Sequence, residues 1–230
     1  MLANRDLFYE FAALLSAAKW DVALLQEVPP RWAQRLADAT GSECRMTLTS
    51  RNWIRPFTAA LAPKRPHLVG SWEGGSNVIL VRKGRPGASV ADHRRATLRL
   101  WPERRVMSMA TTGSGLCIAN LHASTGARAA DDVLKAARIA AGWADGAPLV
   151  LGGDFNLRPA SSDVFERLHE LHGLAGVTDP RSIDHILGSG VATVEPAAAW
   201  PDERRDVPDP DTGMKLRLSD HRPVVCRVST

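Results

Sequence analysis

Between Arg45 and Leu121 the chain offers one strand-like run after another, with no helical pattern between them. The runs are Arg45–Thr49, Phe57–Leu61, Asn77–Arg82, Ala96–Leu100, Arg105–Ala110 and Leu116–Leu121, rich in apolar and β-branched residues. A purely doubly wound parallel sheet would place a helix between successive strands, so this stretch argues against one. The flanks do carry helical patterns. A helix over about 5–19 leads into a strand over Asp21–Gln26, and a helix over Arg31–Ala39 follows Pro29-Pro30, where proline suits the first turn. Later come a helix over Asp131–Trp143, a buried strand over Pro148–Leu151 and a helix over Ser161–Leu171. Ile183–Leu187, Ala192–Glu195 and Val224–Val228 read as the closing strands, and Pro201–Lys215, rich in Pro and Asp, reads as a surface loop. A mixed, layered α/β fold accommodates both halves of the pattern. With 230 residues and no repeat or low-complexity tract, one domain spanning 1–230 is expected.

Bulk properties narrow the partners. No apolar run approaches the roughly 18 residues needed to span a bilayer, so no membrane segment is expected. The N-terminal apolar patch is broken by Asp6, Glu10 and Lys19, while Leu7, Phe8, Phe11, Leu14 and Leu15 recur at helical spacing. An amphipathic helix fits better than a secretory signal, and a cytoplasmic protein is expected. Cys44, Cys117 and Cys226 lack the close pairing of a zinc site and are read as small buried side chains. The net charge of +4 rests on arginine, whose fork suits phosphate. Nothing in the sequence calls for an obligate protein partner.

Six segments set acids, amides or imidazoles at the end of an apolar strand: LLQE (24–27), SNVILVR (76–82), ANLHAS (119–124), LGGDFN (151–156), SIDHIL (182–187) and LSDHRPVV (218–225). Glu27 is delivered at the mouth of a buried strand, where a carboxylate is costly unless it meets a cation or a donor. Mg²⁺, an oxygen-seeking ion, is a natural partner; a capped or salt-bridged Glu is the plainer one. In LGGDFN the double glycine lets something approach the backbone closely. Asp154 and Asn156, two apart, point to one face if the segment stays extended, and together can take a proton from water and orient that water. An Asx-turn ending the strand is the alternative. Asp220 and His221 are adjacent, so their side chains splay toward different partners, and an imidazolium at His221 would stabilise charge developing on a phosphate. Asp184 is the candidate carboxylate to orient that ring, whereas His185 points the other way and reads as structural. Asn120 and His122, again two apart, are set to face one site.

Taken in order, LQE with Glu27, GDFN with Asp154 and Asn156, IDH with Asp184 and SDH with Asp220 and His221 resemble the endonuclease/exonuclease/phosphatase superfamily, over nearly the whole chain. The resemblance implies a four-layer α/β sandwich, two mixed β-sheets packed face to face with helices outside. It implies that Glu27 holds a divalent metal, Mg²⁺ or Mn²⁺, with Asp220 near it. Asp154 would then activate or orient the attacking water beside Asn156, and His221, paired with Asp184, would contact the scissile phosphate. His122 matches the branch with a histidine in the central motif, where it serves as phosphate contact or acid, and Asn77 is a substrate-side neighbour. The family's usual opening strand, ending in Trp-Asn, would fall at or before Met1, so either the true start lies upstream or that strand is missing; Asn4 is a poorly placed substitute.

The expected function is metal-dependent hydrolysis of phosphodiesters. Paired arginines (Arg94-Arg95, Arg104-Arg105, Arg204-Arg205) and the basic pI lean toward a nuclease and a nucleic-acid partner. One alternative is a small-molecule or lipid phosphodiesterase or phosphatase of the same fold. Another, of a different class, is a catalytically inactive binding module, motivated by the absent strand.

Overall fold

A computed structural model describes residues 6–49, 75–209 and 212–230. The expected strand at Phe57–Leu61 and Asn4 lie outside the described residues. In order, the elements are α1 (Phe8–Ala17), β1 (Val22–Val28), α2 (Ala33–Thr40), β2 (Ser42–Leu48), β3 (Ser76–Arg82), β4 (Val90–Arg99), β5 (Arg105–Thr112), β6 (Cys117–His122), α3 (Ala129–Ala144), β7 (Leu149–Asp154), α4 (Val164–His172), β8 (Asp184–Ser189), β9 (Ala192–Ala199), β10 (Asp206–Pro208), β11 (Lys215–Arg217) and β12 (Val224–Ser229).

Two sheets carry the architecture. One is three-stranded and antiparallel, in the order β1-β3-β2; the other is five-stranded, β4-β5-β6-β7-β8, with β6 and β7 parallel and the remaining pairs antiparallel. The layered α/β arrangement is the one expected. Among the described residues only the five-stranded sheet is mixed, and β9 pairs with β12 as a separate two-stranded ribbon. The segment read as a loop over Pro201–Lys215 is more ordered than its Pro and Asp content suggested. It holds a single 3₁₀ turn at Asp202–Arg205 and the β10 strand of a short β10–β11 hairpin.

Strand periodicity explains how the layers assemble. In β3, Val78 and Leu80 face α1 and α2, where they meet Phe8, Ala12, Trp32 and Leu36. The alternate residues Ile79 and Val81 face the other sheet and meet Ala110 and Ile118. Being covered on both faces, β3 reads as an uninterrupted apolar run. In β6 and β7, Cys117, Ala119, Leu121, Leu149 and Leu151 pack outward under α3 and α4, beside Val133, Ala136, Ala137 and Leu168. The residues between them (Ile118, Asn120 and His122; Val150, Gly152 and Asp154) therefore point between the sheets. That inner face changes from apolar to polar toward the strand ends, and the site lies there. No helix among the described residues is long and apolar enough to cross a membrane. Of the three free cysteines only Cys117 is buried; Cys44 and Cys226 are partly exposed.

Candidate active site

Three neighbouring strands end in one row. The β6–β7 register pairs His122 with Asp154, and the β7–β8 register pairs Asp154 with Asp184, so all three side chains leave the same face at the same end of the sheet. The loop before β12 then brings His221 onto Asp184, with Nδ1 at 3.1 and 2.9 Å from the two carboxylate oxygens. Asp154, Asp184 and His221 each offer a ligand atom within 4.8 Å of the others.

Glu27 arrives from the opposite sheet. The β1–β3 ladder slips between Leu25 and Val28, and Glu27 occupies that bulge with φ +56°. A bulge redirects one side chain out of the strand's alternation, and a left-handed backbone at a non-glycine residue costs about 1–3 kcal/mol that the surrounding structure must hold. The result is a Glu27 side chain that is 78% exposed, with its Oε1 4.0 Å from His122 Nδ1. Asn156 has φ +50° as well, so two of the three left-handed non-glycine residues described fall on this site.

The environments push the titrating groups apart. Burial raises the Asp154 carboxyl to about 6, despite the backbone N–H of Asn156 that donates to it. Burial also lowers His122 to about 4, helped by the positive charges of Arg105 and His221. The hydrogen bond that its ring donates to the Asp184 carboxylate raises His221 to about 9. At neutral pH, then, Asp154 is mostly ionised, His122 is a neutral ring and His221 is an imidazolium. The 3.6 Å approach of His122 Nε2 to Asp154 Oδ2 is therefore a neutral–anion contact and no ion pair. His122 is a poor acid under these conditions; its expected part as proton donor gives way to that of a neutral hydrogen-bond donor.

Several sequence expectations change in three dimensions. The strand stops at Asp154, so Asn156 does not share its face by alternation. It turns back instead: its backbone N–H donates to Asp154 Oδ1 at 2.8 Å, and its Nδ2 donates to Asp154 Oδ2 and the Ala123 carbonyl, both at 3.1 Å. The Asx-turn and the convergence on Asp154 are one arrangement, and Asn156 holds the carboxylate. Gly152 and Gly153 admit no ligand; a Cβ on Gly152 would meet Leu24 Cδ1 at 2.7 Å, and one on Gly153 would meet the Leu121 carbonyl oxygen at 1.9 Å. Their bareness lets β1 and β6 close onto β7.

Asn77 and Asn120 are fully enclosed and cannot touch a substrate in this structure, which corrects their expected place beside it. Asn77 Nδ2 donates to the Val106 carbonyl across the sheets. Asn120 donates to the carbonyls of Leu25 and Val78 and accepts from Gln26 Nε2 at 2.7 Å, tying β6 to the strand that carries Glu27. His185 is buried, its ring nitrogens engaged by Thr178 N–H and the carbonyls of Leu157 and Ser182, as its structural reading requires. Asp220 is exposed in an open cleft of about 200 Å³ that it shares with Asp184 and His221.

Two arginines from the pairs offered as nucleic-acid contacts are buried. Arg105 begins β5 and is buried, held by Glu103 at 2.7 Å, with its charge acting on both His122 and Asp154. Its position at the head of an apolar strand was the available signal. Arg205 is buried too and donates to the carbonyls of Ser219 and Asp220, bracing the loop that presents His221.

Comparisons with known proteins bear on the family and the fold. The Endonuclease/Exonuclease/phosphatase family profile matches residues 7–221. No curated protein matches the chain. Among solved structures, a mannosyl-6-phosphatase of Bacteroides thetaiotaomicron VPI-5482 superposes with a TM-score of 0.68 at 16% identity, over 97% of this chain and 90% of that one. An endonuclease/exonuclease/phosphatase family protein from Bacteroides thetaiotaomicron gives 0.69 at 14% identity, over 96% and 85%. D. rerio TDP2 complexed with a single-strand DNA product gives 0.59 at 16% identity, over 97% and 91%. With strand-end carboxylates and imidazoles assembled in one row and the family profile spanning nearly the full length, this chain belongs to the endonuclease/exonuclease/phosphatase family.

Proposed function

We propose that the chain is a divalent-cation-dependent hydrolase of phosphodiester bonds, acting on nucleic acid strands. The observation that carries this reading is the row His122–Asp154–Asp184, closed by His221 on one side and Glu27 on the other. The donor set suits a hard cation such as Mg²⁺ or Mn²⁺: carboxylates are gathered at one mouth, and Glu27 is held in a bulge with its carboxylate turned to solvent. His221 is a poor ligand here, because Asp184 keeps its ring protonated near neutrality. Glu27 and Asp220 are therefore the residues assigned to hold the ion. When bound, such an ion neutralises the phosphate and stabilises the leaving oxygen.

The chain's own groups do the rest. Asp154, gripped through both oxygens by Asn156, takes a proton as water attacks phosphorus and the bond to the leaving oxygen breaks. Its carboxyl near 6 is suited to accept that proton near neutral pH. The imidazolium of His221 donates to a phosphoryl oxygen as charge grows there, Asp184 keeps that ring charged, and neutral His122 supplies a second donor. A cytoplasmic setting belongs to this reading. The DNA-bound TDP2 and the net charge of +4 support nucleic acid as substrate; the likeness to a mannosyl-6-phosphatase supports a second reading, a small-molecule phosphatase.

A panel decides between them: single- and double-stranded DNA, RNA, bis-p-nitrophenyl phosphate and a sugar phosphomonoester, each with Mg²⁺, Mn²⁺ or chelator. Chelator-sensitive cleavage of polynucleotide is the expected result. Turnover confined to the monoester would replace the first reading by the second. Folded protein inert on every substrate would leave the inactive binding module.

Turnover should also depend on pH in a defined direction. Burial holds the Asp154 carboxyl up at about 6, so below that pH the base carries a proton and cannot take one from water. At saturating Mn²⁺, kcat is expected to rise about tenfold between pH 5 and 7 and then level off. A pH–rate profile across that range checks it, and turnover that is flat or falls with pH would contradict the part given to Asp154 as base.

A further inference from the structure

The open cleft of about 200 Å³ at Asp184 and His221 is lined by groups of both charges. Asp184, Asp220 and His221 share it with Arg181, Arg205 and Arg222. The three guanidinium groups are not equivalent. Arg205 is spent on the Ser219 and Asp220 carbonyls and on Asp202. Arg222 reaches the same Asp202 only at 3.7 Å, with 45% of its side chain exposed. The Arg181 side chain makes no hydrogen bond or ion pair among the described residues.

The backbone that carries Arg181 is nevertheless fixed. Asp179 Oδ1 accepts the N–H groups of Arg181 and Ser182 at 2.8 and 3.0 Å, and the Arg181 carbonyl accepts from Arg158 Nε at 3.2 Å. Buried His185 holds the Ser182 carbonyl from below at 3.0 Å. A braced turn thus presents an uncommitted fork into a cleft that already holds a second, weakly paired one. Two guanidinium groups so placed match the oxygens of a phosphate, which they can grip by charge-assisted, bidentate hydrogen bonds.

On the reading of this site as a phosphodiesterase, we propose that Arg181 and Arg222 bind a second phosphate of the substrate, flanking the one that is hydrolysed. The preferred substrate then carries at least two phosphates. The second is either the next diester of a polynucleotide or a terminal phosphomonoester, and the two sources share one chemistry.

The test uses three substrates cut at one type of bond: a dithymidine phosphodiester with free ends, the same dinucleotide with a terminal phosphate, and a trithymidine with two diesters. The wild-type protein is expected to prefer a two-phosphate substrate by about tenfold in kcat/KM, mainly through KM. That ratio should collapse toward one in the Arg181→Gln/Arg222→Gln double variant, and the salt slope of KM should fall by about one per lost phosphate contact. Which two-phosphate substrate gains names the source. No preference in the wild type, or the same preference in the variant, overturns the proposal. Anisotropy of a labelled trithymidine bound to the otherwise wild-type protein and to the double variant, in chelator to prevent turnover, reads the subsite directly. If no substrate is cut, the phosphodiesterase reading fails by itself, and equal binding by both proteins would reject the subsite as well.

Discussion

Replacing Asp154 by Ala is expected to slow hydrolysis about 1,000-fold, within the range for a positioned general base, while leaving the fold intact. The second half of that expectation is the less obvious one, since Asp154 is buried and its carboxylate is gripped by Asn156. Its carboxyl is nonetheless raised to about 6, so burial disfavours the charged form more than the Asn156 contacts favour it. Removing the group relieves that penalty at neutral pH, and Asn156 Nδ2 keeps the Ala123 carbonyl as an acceptor. The melting temperature of the cation-free variant at pH 7 should lie within about 3 °C of wild type, equivalent to roughly 1 kcal/mol for a chain of this size. Turnover of bis-p-nitrophenyl phosphate and a thermal melt together check it. Wild-type-like rates would remove Asp154 from the mechanism; an unfolded variant would show that the carboxylate is structural.

Gly153→Ala should produce the opposite pattern, a large loss of stability with activity following. Gly153 has φ +131°, and a Cβ there would sit 1.9 Å from the Leu121 carbonyl oxygen and 2.9 Å from its carbonyl carbon. Backbone atoms cannot swing aside as a side-chain end can. The β6 and β7 strands would have to part at the pair Leu121–Gly153, one residue from His122–Asp154. A cost of about 3–5 kcal/mol is expected, which lowers the melting temperature by roughly 10 °C or more. Gly142→Ala is the control. That glycine lies within α3 with open space around its Cβ position, and the same substitution there should stabilise by up to about 1 kcal/mol. If Gly153→Ala melts like wild type, the tight approach of β6 to β7 is wrong as described.

The tie between the two predictions is that neighbouring positions of one short segment have unlike duties. GDFN reads in sequence as a single functional motif. In the fold, Gly153 makes room for a neighbouring strand, Asp154 faces the site, Phe155 is buried in the helical core and Asn156 turns back to hold the carboxylate. Changes at these positions should therefore separate cleanly into stability effects and rate effects.

The sequence by itself determined the layered α/β class, most of the strands and helices, and the strand-end positions of Glu27, His122, Asp154, Asp184 and His221. It could do so because hydrophobic periodicity is local, and because an acid or imidazole terminating an apolar run is visible without knowing what the run packs against. Tertiary structure alone decided what each inner face meets. Asn77 and Asn120 share the alternation of site residues, yet they lie far enough in to be enclosed and tie the sheets together. The bulge at Glu27 depends on a register slip against β3, about 50 residues away in the chain, and the raised carboxyl of Asp154 and imidazolium of His221 depend on burial and on distant partners. Arg105, Arg181 and Arg205 are three arginines in sequence; only the fold makes one a buried charge beside the site, one an uncommitted fork in a cleft and one a brace. A side chain's type is set locally, whereas its solvation, its charge state and its partners are set by residues that the chain brings near only once it has folded.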